Sequence, residues 1–186
     1  MIFYRYATTA DAEVLLKIRR AAVLGCGNEH YTTEQLMAWA PKIDVPTIKA
    51  ETEQLNSRDR VTIIAAFDSN DPNHSLNLVN DSFFDEETTQ RDLALEMVGL
   101  CTIGLSEGLL KQCYILPQYR GMGIAKEMVR AVEDIAREKG LNILKLSSSL
   151  IALRFYEKMG YRTLERYDYD LGNGLVMKCV MMYKNM

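Results

Sequence analysis

The chain has 186 residues, 48% hydrophobic and 25% charged, which suits one globular domain with an insertion and excludes a disordered, collagen-like or coiled-coil chain. Its 22 basic and 25 acidic side chains leave a net charge of -3 without a long basic run, so affinity drawn mainly from nucleic-acid phosphates is not expected. No leader-like start and no apolar run of membrane-spanning length occur, which points to the cytoplasm, away from membranes.

Ile2 to Tyr6 alternates as a short strand does. Thr8 and Thr9 then introduce an amphipathic helix over Ala10–Val23, with Val14, Leu15, Ile18 and Ala22 on one face, ended by Gly25-Cys26-Gly27-Asn28. Thr32 with Gln35 forms a capping box for a second helix to about Ala40, stopped by Pro41. Thr47–Leu55 reads as a third, more polar helix, and the β-branched run Val61–Phe67 as an inner strand. Residues 68–92 break every apolar period and are expected to be an acidic, polar insertion loop. Strands over Leu95–Leu105 and Leu109–Leu116 follow, joined by Ser106-Glu107-Gly108.

Ile124 to Lys139 places apolar residues at 124, 125, 128, 129, 132, 135 and 136, and Gly140 provides a left-handed stop. A strand at Ile143–Ser147 comes next, then a helix over Leu150–Lys158 capped by Ser149, then a hairpin over 161–183 around Gly172-Asn173-Gly174. The four cysteines, Cys26, Cys101, Cys113 and Cys179, form no Cys-x-x-Cys pair. They read as reduced packed thiols, and no metal site is expected.

The segment Tyr114-Ile-Leu-Pro-Gln-Tyr-Arg-Gly-Met-Gly-Ile-Ala125 runs from a strand through a glycine-bearing turn into the long helix. The first N–H groups of a helix lack intrahelical partners, and Gly121 and Gly123 let backbone approach a phosphate, with Arg120 adding a charge. Taken alone, the glycines fit a tight turn equally well. A dinucleotide fingerprint would need a small residue where Lys126 stands, and a P-loop would need Gly-Lys-Ser/Thr, which is absent.

Arg120-Gly-Met-Gly123-Ile-Ala125 resembles the acyl-CoA motif Arg/Gln-x-x-Gly-x-Gly/Ala of the GCN5-related N-acetyltransferase (GNAT) superfamily. Ser149-Leu-Ile-Ala152-Leu-Arg-Phe155-Tyr156-Glu-Lys-Met-Gly160-Tyr161 is similar to that family's downstream Asn-x-x-Ala-x-x-Phe-Tyr-Glu-Lys-x-Gly-Phe segment. The stretch His30-Tyr31 to Trp39-Ala-Pro41 also resembles bacterial members with unassigned acceptors.

The resemblance implies an α/β GNAT acyl-CoA N-acyltransferase fold, a mixed, mostly antiparallel central sheet flanked by helices, spanning 1–186 as a single domain. It implies acetyl-CoA as co-substrate, with N–H groups of Gly121, Met122, Gly123, Ile124, Ala125 and Lys126 on the pyrophosphate. Main chain at Cys113, Tyr114 and Ile115 would pair with pantetheine, and Ser149, in place of the family's Asn, would make a weaker contact. Tyr156 would protonate the departing thiolate in direct transfer to a primary amine. Glu107 is the first candidate base, beside Glu96, His30 and Glu34; His30, Tyr31 and Trp39 are candidate acceptor contacts. The alternative is an acyl-CoA-binding regulatory or interaction module without catalysis. The final hairpin could pair across a homodimer.

Overall fold

A computed structural model describes residues 2–27, 29–67 and 96–186, so the expected insertion at 68–92 lies outside the described residues. Among the described residues the strands are β1 (Ile2–Tyr6), β2 (Arg60–Phe67), β3 (Glu96–Gly104), β4 (Leu109–Ile115), β5 (Ile143–Ser149), β6 (Arg162–Gly172) and β7 (Leu175–Asn185). They make one mixed sheet in the order β1-β2-β3-β4-β5-β7-β6, antiparallel at every junction except β4–β5. That junction is parallel because a helix carries the chain back between its two strands. It is the α/β arrangement expected from the sequence.

The helices are α1 (Ala12–Leu24), α2 (Thr33–Trp39), α3 (Val45–Leu55), α4 (Ile124–Glu138) and α5 (Leu153–Lys158). The capping box of α2 forms as predicted: Gln35 N–H donates to Thr32 Oγ1 at 3.2 Å and Thr32 N–H to Gln35 Oε1 at 2.7 Å. The start of α3 is two residues earlier than predicted, because Asp44 Oδ1 accepts from Thr47 N–H at 2.9 Å and Pro46 fits the first turn. A 3₁₀ turn at Thr9–Asp11 precedes α1. Arg5 grips Asp11 with two bonds of 2.8 Å, and Thr8 N–H donates to the same carboxylate at 2.7 Å. Burial works to raise the Asp11 pKa, but Arg5 and Thr8 outweigh it and hold the carboxyl below its usual range.

One sequence expectation is corrected here. Ser149 does not cap a helix starting at Leu150; β5 continues to Ser149, paired with Cys179 of β7, and α5 starts only at Leu153. The strand ladder claims those two extra residues. Ser149 Oγ accepts from Ala152 N–H at 3.4 Å, a turn contact rather than a helix cap.

The alternation of the strands divides the core. On one face α4 and α5 cover Cys101, Ile103, Leu110, Leu144, Leu146, Val180 and Met182. On the other, Leu15 and Ile18 of α1 pack on Ile64 and Leu100, while Val23, Tyr31, Leu36, Met177 and Cys179 form a second cluster under α2. Among the described residues no helix is long and apolar enough to cross a membrane.

Candidate active site

β4 and β5 part soon after they meet. Their ladder holds only at Leu109 with Lys145 and Leu110 with Leu146, whereas Cys113, Tyr114 and Ile115 pair with Cys101, Leu100 and Gly99 of β3 alone. A register shift at Thr102/Ile103 bends this part of the β3–β4 ladder, and on the far side Ser147–Ser149 pair only with β7. A strand-like ligand therefore finds an unpaired main-chain edge on β4.

Beyond β4, Pro117–Tyr119 make a 3₁₀ turn and the chain enters α4 through Gly121 and Gly123, with φ of 82° and 83°. A Cβ at either position would meet nothing within 4 Å, so backbone conformation rather than crowding requires glycine. The N–H groups of residues 121–126 donate to no described main-chain acceptor, the first intrahelical bond being Glu127 N–H to Gly123 O. With the positive end of the α4 dipole behind them, they form a cradle of donors suited to an anion.

Arg120 does not point into this cradle. Its guanidinium donates to the carbonyls of Gly25 and Ala22 at 2.9 Å each and reaches Cys26 Sγ at 3.6 Å, closing the C-terminal end of α1. The cation left beside the cradle is Lys126, exposed in the first turn of α4 and in no ion pair with a described residue.

Tyr156 lies on the α4–α5 face, 6% exposed, its ring edge-on to Phe155 at 5.0 Å and Tyr161 at 5.6 Å. Burial pushes its phenol well above the usual value, helped by the neighbouring thiols of Cys113 and Cys101. The hydroxyl is therefore a protonated donor beside the splayed part of β4, and no described side chain takes its hydrogen bond. Of the adjacent pair Phe155–Tyr156, the tyrosine is the more buried, since its ring fills the space under Tyr161.

The remaining predicted residues scatter. Glu107 sits in the turn before β4, paired with Lys111 at 3.1 Å; the strand from Leu109 to Cys113, about 13 Å, lies between that turn and Cys113. His30 and Glu34 are exposed, and His30 Nε2 lies 3.9 Å from Glu29. Glu96 accepts from Tyr119 OH at 2.6 Å, tying the start of β3 to the turn before the cradle. Tyr31 is 3% exposed with its hydroxyl fully used, donating to Lys178 O and accepting from Leu150 N–H at 2.7 Å each. It pins the α1–α2 connection to β7 and to the end of β5, and burial raises its pKa to about 12.

Trp39 packs on the α1–α2 face. Its ring lies 6.1 Å from Tyr31 and 6.3 Å from Tyr114, and the Arg19 guanidinium sits 5.7 Å from the centre of the Tyr114 ring. Burial raises the Tyr114 pKa against the downward pull of Arg19. Arg19 was not a sequence candidate. Its signal was available: it falls between Leu16 and Val23, at helical spacing in a buried stripe where an arginine is out of place.

The model of the acetyltransferase (GNAT) family matches residues 83–161, which hold the splay, the cradle and Tyr156. A candidate acetyltransferase of Bacillus subtilis (strain 168) is 45% identical over 56 residues, 30% of this chain and 38% of that protein. The chain thus spans less than half the length of that curated relative. Among solved structures, a GCN5-related N-acetyltransferase from Rhodopseudomonas palustris superposes with a TM-score of 0.75 at 22% identity, covering 98% of this chain and 94% of that one. The PaiA N-acetyltransferase of Thermoplasma acidophilum, in complex with coenzyme A, gives 0.67 at 19% identity over 100% and 99%. The fold is thus similar to that of GNAT acetyltransferases, and residues 83–161 carry the segment that matches that family.

Proposed function

We propose that the chain is an acetyl-CoA-dependent N-acetyltransferase, moving an acetyl group to a primary amine by direct attack within a ternary complex. The observation that carries this reading is the junction of the unpaired β4 edge, the six free N–H groups of residues 121–126 and the Tyr156 phenol. The PaiA relative in complex with coenzyme A supports the choice of cofactor.

The residues fit such a cofactor. The cradle at 121–126 would hold the pyrophosphate with Lys126 beside it, and the main chain of Cys113–Ile115 would align the pantetheine arm and polarise the thioester carbonyl. The amine nitrogen attacks the carbonyl carbon, the carbon–sulfur bond breaks, the thiolate takes the Tyr156 proton, and the proton lost by the attacking nitrogen returns through solvent to the tyrosinate. A thiolate leaving into the same buried space has its own proton affinity raised, so donor and acceptor shift together. Ser149, at the end of β5 and facing Cys179, is the contact for the arm from the opposite strand.

Calorimetric titration with acetyl-CoA, then CoA release in the presence of a panel of amines, tests the reading. Saturable binding and amine-dependent release are expected. Gly123→Glu, which puts a carboxylate in the cradle and a side chain at a φ of 83°, removes the binding. Binding without amine-dependent release would leave the acyl-CoA-binding module instead, and absence of both would end both readings.

A further inference from the structure

Arginines that lose water usually find a carboxylate or a row of carbonyls. Among the described residues four arginines are half-buried, and three obey the rule: Arg5 grips Asp11, Arg60 pairs with Glu51 at 2.7 Å, and Arg20 donates to Pro41 O at 3.0 Å. Arg19 does not. It has no carboxylate or carbonyl partner among the described residues: it hydrogen-bonds the Tyr114 phenol, and its Nε, like those of Arg5 and Arg60, is buried without a partner. Its known neighbour is the Tyr114 ring at 5.7 Å, with Trp39 against the same ring.

Position makes this exception informative. Tyr114 stands on β4 beyond its last pair with β5, on the sheet face opposite Cys113. Trp39, Tyr114 and Arg19 thus share the α1–α2 face beside the unpaired edge of β4. A guanidinium offers a planar fork of donors that matches the oxygens of a carboxylate or phosphate, and an aromatic ring beneath it keeps water from competing.

We infer that Arg19 is the specificity residue of an oxyanion subsite, so that the acceptor is an amine carrying a carboxylate or a phosphate. This rests on the transferase reading for the word acceptor, but binding of the anion requires no catalysis.

The test uses product-like probes in matched pairs on the CoA-loaded protein: N-acetylphenylalanine against its amide, and N-acetylglucosamine 6-phosphate against N-acetylglucosamine. At least one anionic probe is expected to bind about tenfold or more tighter than its neutral twin, and which pair does so separates carboxylate from phosphate. Arg19→Gln removes the preference, while Arg19→Lys, with its charge but no fork, keeps part of it and reports that the site still folds. The inference is overturned if neither anionic probe outbinds its twin, or if the preference survives Arg19→Gln. A preference that vanishes in Arg19→Gln, combined with no CoA release from acetyl-CoA by any amine, would keep the subsite and discard the transferase.

Discussion

The two faces of the sheet use the same alternation of residues to different ends. Against α4 and α5 the cluster is large and closed, with Val98, Cys101, Ile103, Val129, Val132, Leu144, Val180 and Met182 without exposed surface and Tyr156 and Tyr161 packed among them. Against α1 and α2 it is smaller, aromatic and threaded with polar groups: the Tyr31 hydroxyl, the Ser147–Tyr167 hydroxyl pair at 2.5 Å, and Arg19. Close packing gives the first face stability and little room, while the second gives up packing for chemistry. The reactive edge of β4 crosses from one to the other, because Cys113 faces the closed side and Tyr114 the open one.

Substitutions can set the faces against each other. Leu146→Ala, in the closed face, is expected to cost about 3 kcal/mol of stability, read as a fall in Tm of several degrees, where Ser147→Ala next to it costs under about 1 kcal/mol. Equal losses would erase the distinction between faces. Tyr156→Phe keeps the packing of the closed face and removes its one proposed chemical contribution. Turnover should fall about tenfold to a hundredfold with acetyl-CoA affinity unchanged; unaltered turnover would take Tyr156 out of the mechanism.

Acid should loosen the open face, since α1 is anchored through Asp11. The Asp11 carboxyl is held below its ordinary value in the folded state, so its contribution is complete above the unfolded pKa of about 4 and is lost as pH falls through the lowered folded value. The one tryptophan, Trp39, lies on this face, and its fluorescence should report an acid transition that flattens in Asp11→Asn. A transition of the same shape in both proteins would remove Asp11 as the anchor. Smallest is the effect of Glu107→Gln: turnover within about twofold of the parent, because about 13 Å of strand lies between its turn and Cys113. A large loss there would mean that chemistry occurs at the wrong end of β4.

Legibility in the sequence followed the range of each interaction. The capping box of Thr32 and Gln35, the apolar stripe of α4, the glycine turn at 121–123 and the hairpin at Asn173-Gly174 rest on contacts a few residues apart, and each formed where the spacing placed it. Where a long side chain points was not legible. Arg120 sits in the motif beside the cradle, yet carbonyls 95 residues earlier in the chain claim its donors. Tyr31 was a candidate acceptor contact, and its hydroxyl is consumed by two backbone groups that only tertiary folding brings near. Nor was it legible that Glu107, in the turn before β4, pairs with Lys111 four residues on.

The Arg120 contact has a mechanical side. The same residue ends the turn before the cradle and closes the last turn of α1, the helix that carries Arg19 and leads to the segment pinned by Tyr31. One guanidinium thus works as a hinge pin between the wall that would greet the acceptor and the floor that would hold the cofactor. A displacement of the turn before α4 would therefore be felt at the end of α1, through two hydrogen bonds of a single side chain.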